Sequence, residues 1–115
     1  MPKVVQFRVK NLKPVHPGEI LREEFMVPLG ISINRLARDL HVPVSRISKI
    51  VNEERGITAD TAIRAARYFG TSPEFWMNLQ TRYCLLMLRD SLKVVRREVR
   101  PAVLTAGLPK NALVT

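Results

Sequence analysis

The stretch at 31–52, ISINRLARDLHVPVSRISKIVN, decides the fold, because it reads as two short amphipathic helices joined by a turn too tight for a loop. In its first half Ile33, Leu36, Ala37 and Leu40 recur at i, i+3, i+4 and i+7, and Ser32 stands where a hydroxyl caps a first turn. That helix should end near His41. In the second half Val44, Ile47, Ile50 and Val51 make a stripe expected to be buried. Winding at about 100° per residue then puts Ser45, Arg46, Lys49 and Asn52 on the opposite side. Pro43 is expected to set φ for the first turn of the second helix, where a missing N–H costs little. Ala37 is small enough to let the two helices approach closely.

A helix pair with one basic, hydroxyl-rich outer face suits DNA. The second helix can enter a major groove, about 12 Å wide, and present its N-terminal side chains to base edges. Those would be Val44, Ser45, Arg46 and Lys49, with Ser32, Asn34, Arg35, Pro43 and Asn52 completing the DNA-binding face. The pattern alone also fits an αα-hairpin of a helical bundle whose polar face is merely solvated.

Charge favours a polyanionic partner. The chain of 115 residues carries a formal net charge of +9. Residues 1–13 hold +4, residues 14–90 only +1 and residues 91–115 another +4, so the excess sits in the two ends. The length suits one domain, at 15–90, with a basic arm or strand at 1–14 and a helix extension plus loosely ordered tail at 91–115. The single cysteine, Cys84, excludes an internal disulfide, and no His/Cys cluster suggests a metal. No apolar run approaches a membrane span or a signal-peptide core. The expectation is a cytoplasmic protein, nucleoid-associated when on DNA, with no metal or cofactor and no membrane partner.

Around the central pair, Pro17 should open a first helix with Glu19, Glu23 and Glu24 near its positive end and Ile20, Leu21 and Phe25 inward, ended by Pro28 and Gly30. His16 and His41 read as caps or exposed side chains, since no nucleophile or second base is spaced to work with either. After Asn52, Arg55 is the expected phosphate contact of the following loop. Thr58 should cap a fourth helix with Ala62, Ile63, Ala66 and Phe69 inward, and alanines at 59, 62, 65 and 66 imply close packing. Ser72 should cap a fifth. Its Phe75, Trp76, Leu79, Tyr83, Leu86 and Met87 form an apolar surface wider than one stripe needs, which points to a subunit interface through Trp76, Tyr83, Leu86 and Met87, although Trp76 alone reads as readily as a plug of the monomer core. That helix is expected to run on to about Arg97. At the other end, Val5, Phe7 and Val9 alternate like a strand that could pair with a sheet edge on a partner protein, while Lys3, Arg8, Lys10 and Lys13 fit equally a basic arm that trails along phosphates.

Within this frame LARDLHVPVSRISKIVN resembles the helix-turn-helix of the lambda-repressor-like, or xenobiotic-response-element, family. The flanks HPGEILREEFMVPLGIS and GITADTAIRAARYFGTSPEFWMNLQTRY are similar to HigA-type antitoxins, the addiction-module antidotes of bacterial toxin–antitoxin modules. The likeness covers about residues 15–88. Two positions depart: His41 stands where the wider family usually has a turn glycine, and Cys84 where an acidic residue is expected. The resemblance implies an all-α, five-helix domain. It also implies neutralisation of a ribonuclease toxin by protein–protein binding, and repression of the shared operon by a homodimer on a palindromic double-stranded operator. A solitary helix-turn-helix repressor without a toxin is the alternative. An interaction module that has lost DNA binding is opposed by Arg46 and Lys49. No P-loop, nucleophile elbow or catalytic carboxylate pair is present, so no catalytic residue is assigned.

Overall fold

Helix α1 begins where Pro17 presets a helical φ, and it runs as one rod in three pieces: an α turn at Pro17–Ile20, a π turn at Leu21–Met26 and an α turn at Val27–Leu29. The π turn lies just upstream of Pro28, whose ring crowds the carbonyl four residues back and offers no N–H. Pro28 therefore sits inside the last turn, and Gly30, at φ 64°, makes the stop. The computed structural model describes residues 13–103. The arm bearing Val5, Phe7 and Val9 and most of the expected tail lie outside the described residues. Helices α2 (Ile33–Leu40), α3 (Val44–Val51), α4 (Ala59–Phe69), α5 (Pro73–Met87) and α6 (Ser91–Glu98) follow. The described part is all-helical, and none of these helices is long and apolar enough to cross a membrane.

The core draws on every helix but the last. Ile20, Leu21 and Met26 of α1 meet Leu36, Ala37 and Leu40 of α2, Ile47, Ile50 and Val51 of α3, the alanines of α4, and Trp76 and Leu79 of α5. Trp76 is fully buried, and its indole N–H donates to Thr71 Oγ1 at 2.8 Å. Phe25 stacks at 4.9 Å from Phe69 and 5.0 Å from Trp76, an aromatic corner that ties α1 to α4 and α5. Trp76 was expected at a subunit interface, and here it belongs to the monomer core instead. Truncating a core tryptophan to alanine costs about 3–5 kcal/mol, so it would disrupt the fold before any contact between subunits.

Four further expectations are corrected. Ile63 is 59% exposed, because α4 turns the small side chains Ala62, Ala65 and Ala66, with Thr61, toward the core. Only three of the four alanines are buried, Ala59 being exposed. Thr58 occupies the N-cap of α4, but its hydroxyl makes no cap bond there. The fifth helix also stops at Met87. Hydrogen bonds from Arg89 N–H to Leu86 O and Ser91 N–H to Leu88 O tighten the chain into a turn before α6, every residue of which is exposed. The described part thus holds six helices, the five of the domain and this extension.

His16 is a buried cap. Its Nδ1 accepts the Gly18 N–H at 2.9 Å, and its ring packs edge-on against Tyr83 at 4.8 Å. Burial holds the imidazole below its ordinary pKa of 6.5, with the Glu53 carboxylate pulling the other way. The stability this gives is complete above pH 6.5 and is lost as pH falls toward the lowered folded value, because the unfolded chain takes up the proton first. The thermal midpoint should therefore fall between about pH 7 and pH 5, with a visibly flatter dependence in His16→Asn. Parallel profiles for the two proteins would show that His16 does not titrate with unfolding.

Candidate nucleic-acid interface

The turn between α2 and α3 is built on His41, whose φ of 59° is left-handed. His41 N–H bonds to Arg38 O at 3.2 Å and Val42 N–H to Ala37 O at 3.0 Å, the paired bonds of a Schellman stop. A non-glycine residue there costs roughly 1–2 kcal/mol. Pro43 proves to be the N-cap of α3, with ψ 146°, rather than a residue of its first turn. Pro43 offers no side-chain cap bond there, and with Val44 and Ser45 exposed the positive end of α3 faces outward.

What seats α3 lies behind it. Gly18 of α1 approaches so closely that an added Cβ would fall 1.8 Å from the Ile50 carbonyl oxygen. Arg22 donates to the Val51 carbonyl through Nη1, satisfying an orphan acceptor at the C-terminus of α3, and also holds Glu23 at 2.9 Å and Glu53 at 3.7 Å. Glu53, at φ 62°, makes a second Schellman stop with bonds to Ile50 O and from Glu54 N–H to Lys49 O. The loop that follows is pinned by Gln80, whose Oε1 accepts the Ile57 N–H at 2.6 Å. Neither Gly18 nor Arg22 shows in the helical periodicity. Gly18 in an otherwise good helix-forming run was the available signal.

The outer face carries most of the expected residues together. Asn34, Arg35, Pro43, Ser45, Lys49, Asn52 and Arg55 are exposed. Ser32 is exposed too, and its Oγ caps α2 by accepting Arg35 N–H at 3.1 Å. Val44 departs from the stripe expected to be buried: at 47% exposure it belongs with the outer face. Arg46 is not free on that face. Its Nη1 donates to Asp60 Oδ2 at 2.6 Å, and its side chain is only 24% exposed.

Asp60 also receives Arg64 Nε at 3.1 Å, and Arg64 Nη1 reaches the Leu40 carbonyl at the end of α2. The Arg46 bond first, then that from Arg64, holds the Asp60 carboxyl below its usual range. Beside it, Asp39 accepts the Tyr68 hydroxyl at 2.6 Å and lies 3.5 Å from Arg35 Nε; the tyrosine bond leads in lowering its pKa. Sequence reading missed these two carboxylates and their α4 anchors, which lie beyond the helix pair.

Of the apolar surface on α5, Tyr83 packs on His16, Leu86 is half-buried and Met87 is 56% exposed. The larger uncovered apolar side chains are ones the sequence reading passed over: Leu85, Leu88, Leu92, Val95 and Val99, recurring every three and four residues.

A docked helix pair with an exposed, basic second helix on an all-helical domain defines a helix-turn-helix protein of the DNA-binding class. A helix-turn-helix family model matches residues 21–76. The chain is 58% identical over 79 residues to virulence-associated protein I of Dichelobacter nodosus, spanning 68% of this chain and 73% of that one. It is 48% identical to Pseudomonas aeruginosa antitoxin HigA, solved with the higBA promoter, at a TM-score of 0.74 over 79% of this chain and all of that one. An addiction module antidote protein of a HigA family from Coxiella burnetii is 49% identical, with a TM-score of 0.72 over 78% of this chain and 99% of that one. The chain belongs to the HigA family of helix-turn-helix antitoxins, a family of DNA-binding regulators and not of enzymes.

Gly18→Ala should destabilise the protein by about 3 kcal/mol or more, since backbone must give way on one side or the other. Gly70→Ala is the reference: its φ of 75° is left-handed, but nothing lies within 4 Å of the added atom, so only the roughly 1–2 kcal/mol of backbone strain applies. Denaturant titrations showing Gly18→Ala no worse than Gly70→Ala would refute the close seat.

Proposed function

We propose that this chain is the antitoxin of a type II toxin–antitoxin module, repressing its own operon as a dimer on a palindromic operator and neutralising a ribonuclease toxin by direct binding. The observation that carries the DNA half is the outward-facing, uncapped N-terminal half of α3, with Val44, Ser45 and Lys49 exposed beside Arg46. The close likeness to an antitoxin solved with a promoter supports it. In this reading Ser45, Arg46 and Lys49 address base edges, while Ser32, Asn34, Arg35, Asn52 and Arg55 line the phosphate backbone. The domain at 15–90 does this work.

One recognition helix covers only a few base pairs, so specificity calls for two, roughly 34 Å apart. Tyr83, Leu86 and Met87, extended by Leu85, Leu88 and Leu92, are the proposed subunit contact, in which Leu85, Met87, Leu88 and Leu92 leave apolar surface that water disfavours. The toxin is assigned to the arm with Val5, Phe7 and Val9, on its sequence pattern alone.

Two measurements test this. Arg46→Ala with Lys49→Ala should weaken binding to the promoter duplex by about 1–3 kcal/mol per lost base contact, with the thermal midpoint nearly unchanged; wild-type affinity in the double variant would reject α3 as the recognition helix. Light scattering should give about twice 13.1 kDa for the free protein and a monomer for Leu88→Asp with Leu92→Asp. A monomeric wild type at micromolar concentration would reject the dimer.

A further inference from the structure

We infer that Asp60 is a positioning residue for DNA readout: it holds the Arg46 guanidinium in one orientation so that its remaining donors meet a base edge already ordered. This rests on α3 being the recognition helix.

Arginine carries five N–H donors in a planar fork, and a free arginine surrenders much rotamer entropy when it is fixed on a base. Here that freedom is already spent. Nη1 of Arg46 is engaged by Asp60 Oδ2 at 2.6 Å, and among the described residues Nε and Nη2 have no protein partner. Asp60 is itself fixed, because Arg64 Nε lies 3.1 and 3.2 Å from its two oxygens. Arg64 is fixed in turn by donating to the Leu40 carbonyl at 2.9 Å. The chain of contacts therefore runs from the end of α2, through α4, to the first turns of α3, and it locks Arg46 to the frame that docks the helix pair.

Charge argues for the same role. A lone carboxylate at a DNA-facing edge would repel phosphate, yet Asp60 sits between two guanidiniums, so the cluster as a whole remains cationic. A residue kept only to raise affinity would not be acidic here. An acidic residue that sharpens discrimination, at some cost in sequence-blind attraction, fits the site.

The experiment is a double-mutant cycle with wild type, Asp60→Asn, Arg46→Ala and the double variant. Affinities are read by fluorescence anisotropy at fixed salt on two probes, a duplex from the promoter immediately upstream of the protein's own reading frame and a scrambled duplex of the same composition. Asp60→Asn should tighten binding to the scrambled duplex and lower the promoter-to-scrambled ratio by roughly two- to thirteenfold, the cost of ordering one long side chain. In the Arg46→Ala background it should leave the ratio unchanged. Asp60→Glu, which keeps the carboxylate, should recover part of the ratio. An unchanged ratio in Asp60→Asn, with a reduced one in Arg46→Ala, would overturn the positioning role while leaving Arg46 as a base contact. An equal drop in both backgrounds would overturn it as well, since Asp60 would then act without Arg46. No change in Arg46→Ala itself would instead remove the recognition-helix reading on which the inference stands. Asp60 is more than half exposed, and melting curves for the five proteins fix a temperature at which all are folded.

Discussion

The contact on which the outer face of the helix pair depends is the one between the Gly18 backbone and the Ile50 carbonyl. A helix only eight residues long has little stability of its own in water, so α3 keeps its place through what it packs against. Ile47, Ile50 and Val51 supply the apolar grip, but apolar packing alone tolerates sliding. Backbone against backbone does not. With Arg22 bonded to the last carbonyl of α3, the helix is fixed along its axis as well as pressed inward, and the outer side chains inherit that register.

On the opposite side the same helix is held by ions. Asp60 and Asp39 each gather side chains from α4 and from the helix pair, one around Arg46 and the other around Arg35. Exposed ion pairs of this kind contribute little to stability, a median of about 0–1 kcal/mol. Their effect is on direction: they decide where long cationic side chains point. Stability therefore comes from the buried side of the domain and orientation from the wet side, which separates the residues that can change without unfolding the protein from those that cannot.

Much of this was legible in the residue order. The helix pair, the Ser32 and Ser72 caps and the inward faces of α2 and most of α3 follow from apolar period and cap chemistry, which are local and therefore visible. The rest was not local. Whether Trp76 faced its own core or another subunit depended on Phe25, far away in the chain, and on how Phe69 of the preceding helix was placed. Ile63 lies outside because α4 packs through its alanines, and nothing within α4 ranks one apolar face above the other. The stop after Met87 has no glycine or proline to announce it. Asp60 could be paired with Arg46 only once α3 and α4 had been placed in space.

The aromatic corner has a consequence for the order in which the molecule is made. The first helix leaves the ribosome before all the others, yet what grips it is Phe69, Trp76 and Tyr83, which are synthesised much later. Until those residues emerge, α1 has no apolar surface to close against beyond the small helix pair, and the pair has no settled back wall. A nascent chain released before about residue 83 would contain every side chain on the outer face of the helix pair and still lack the frame that arranges them. The frame of the helix pair thus arrives with Tyr83, although the outer face it arranges lies near the middle of the chain.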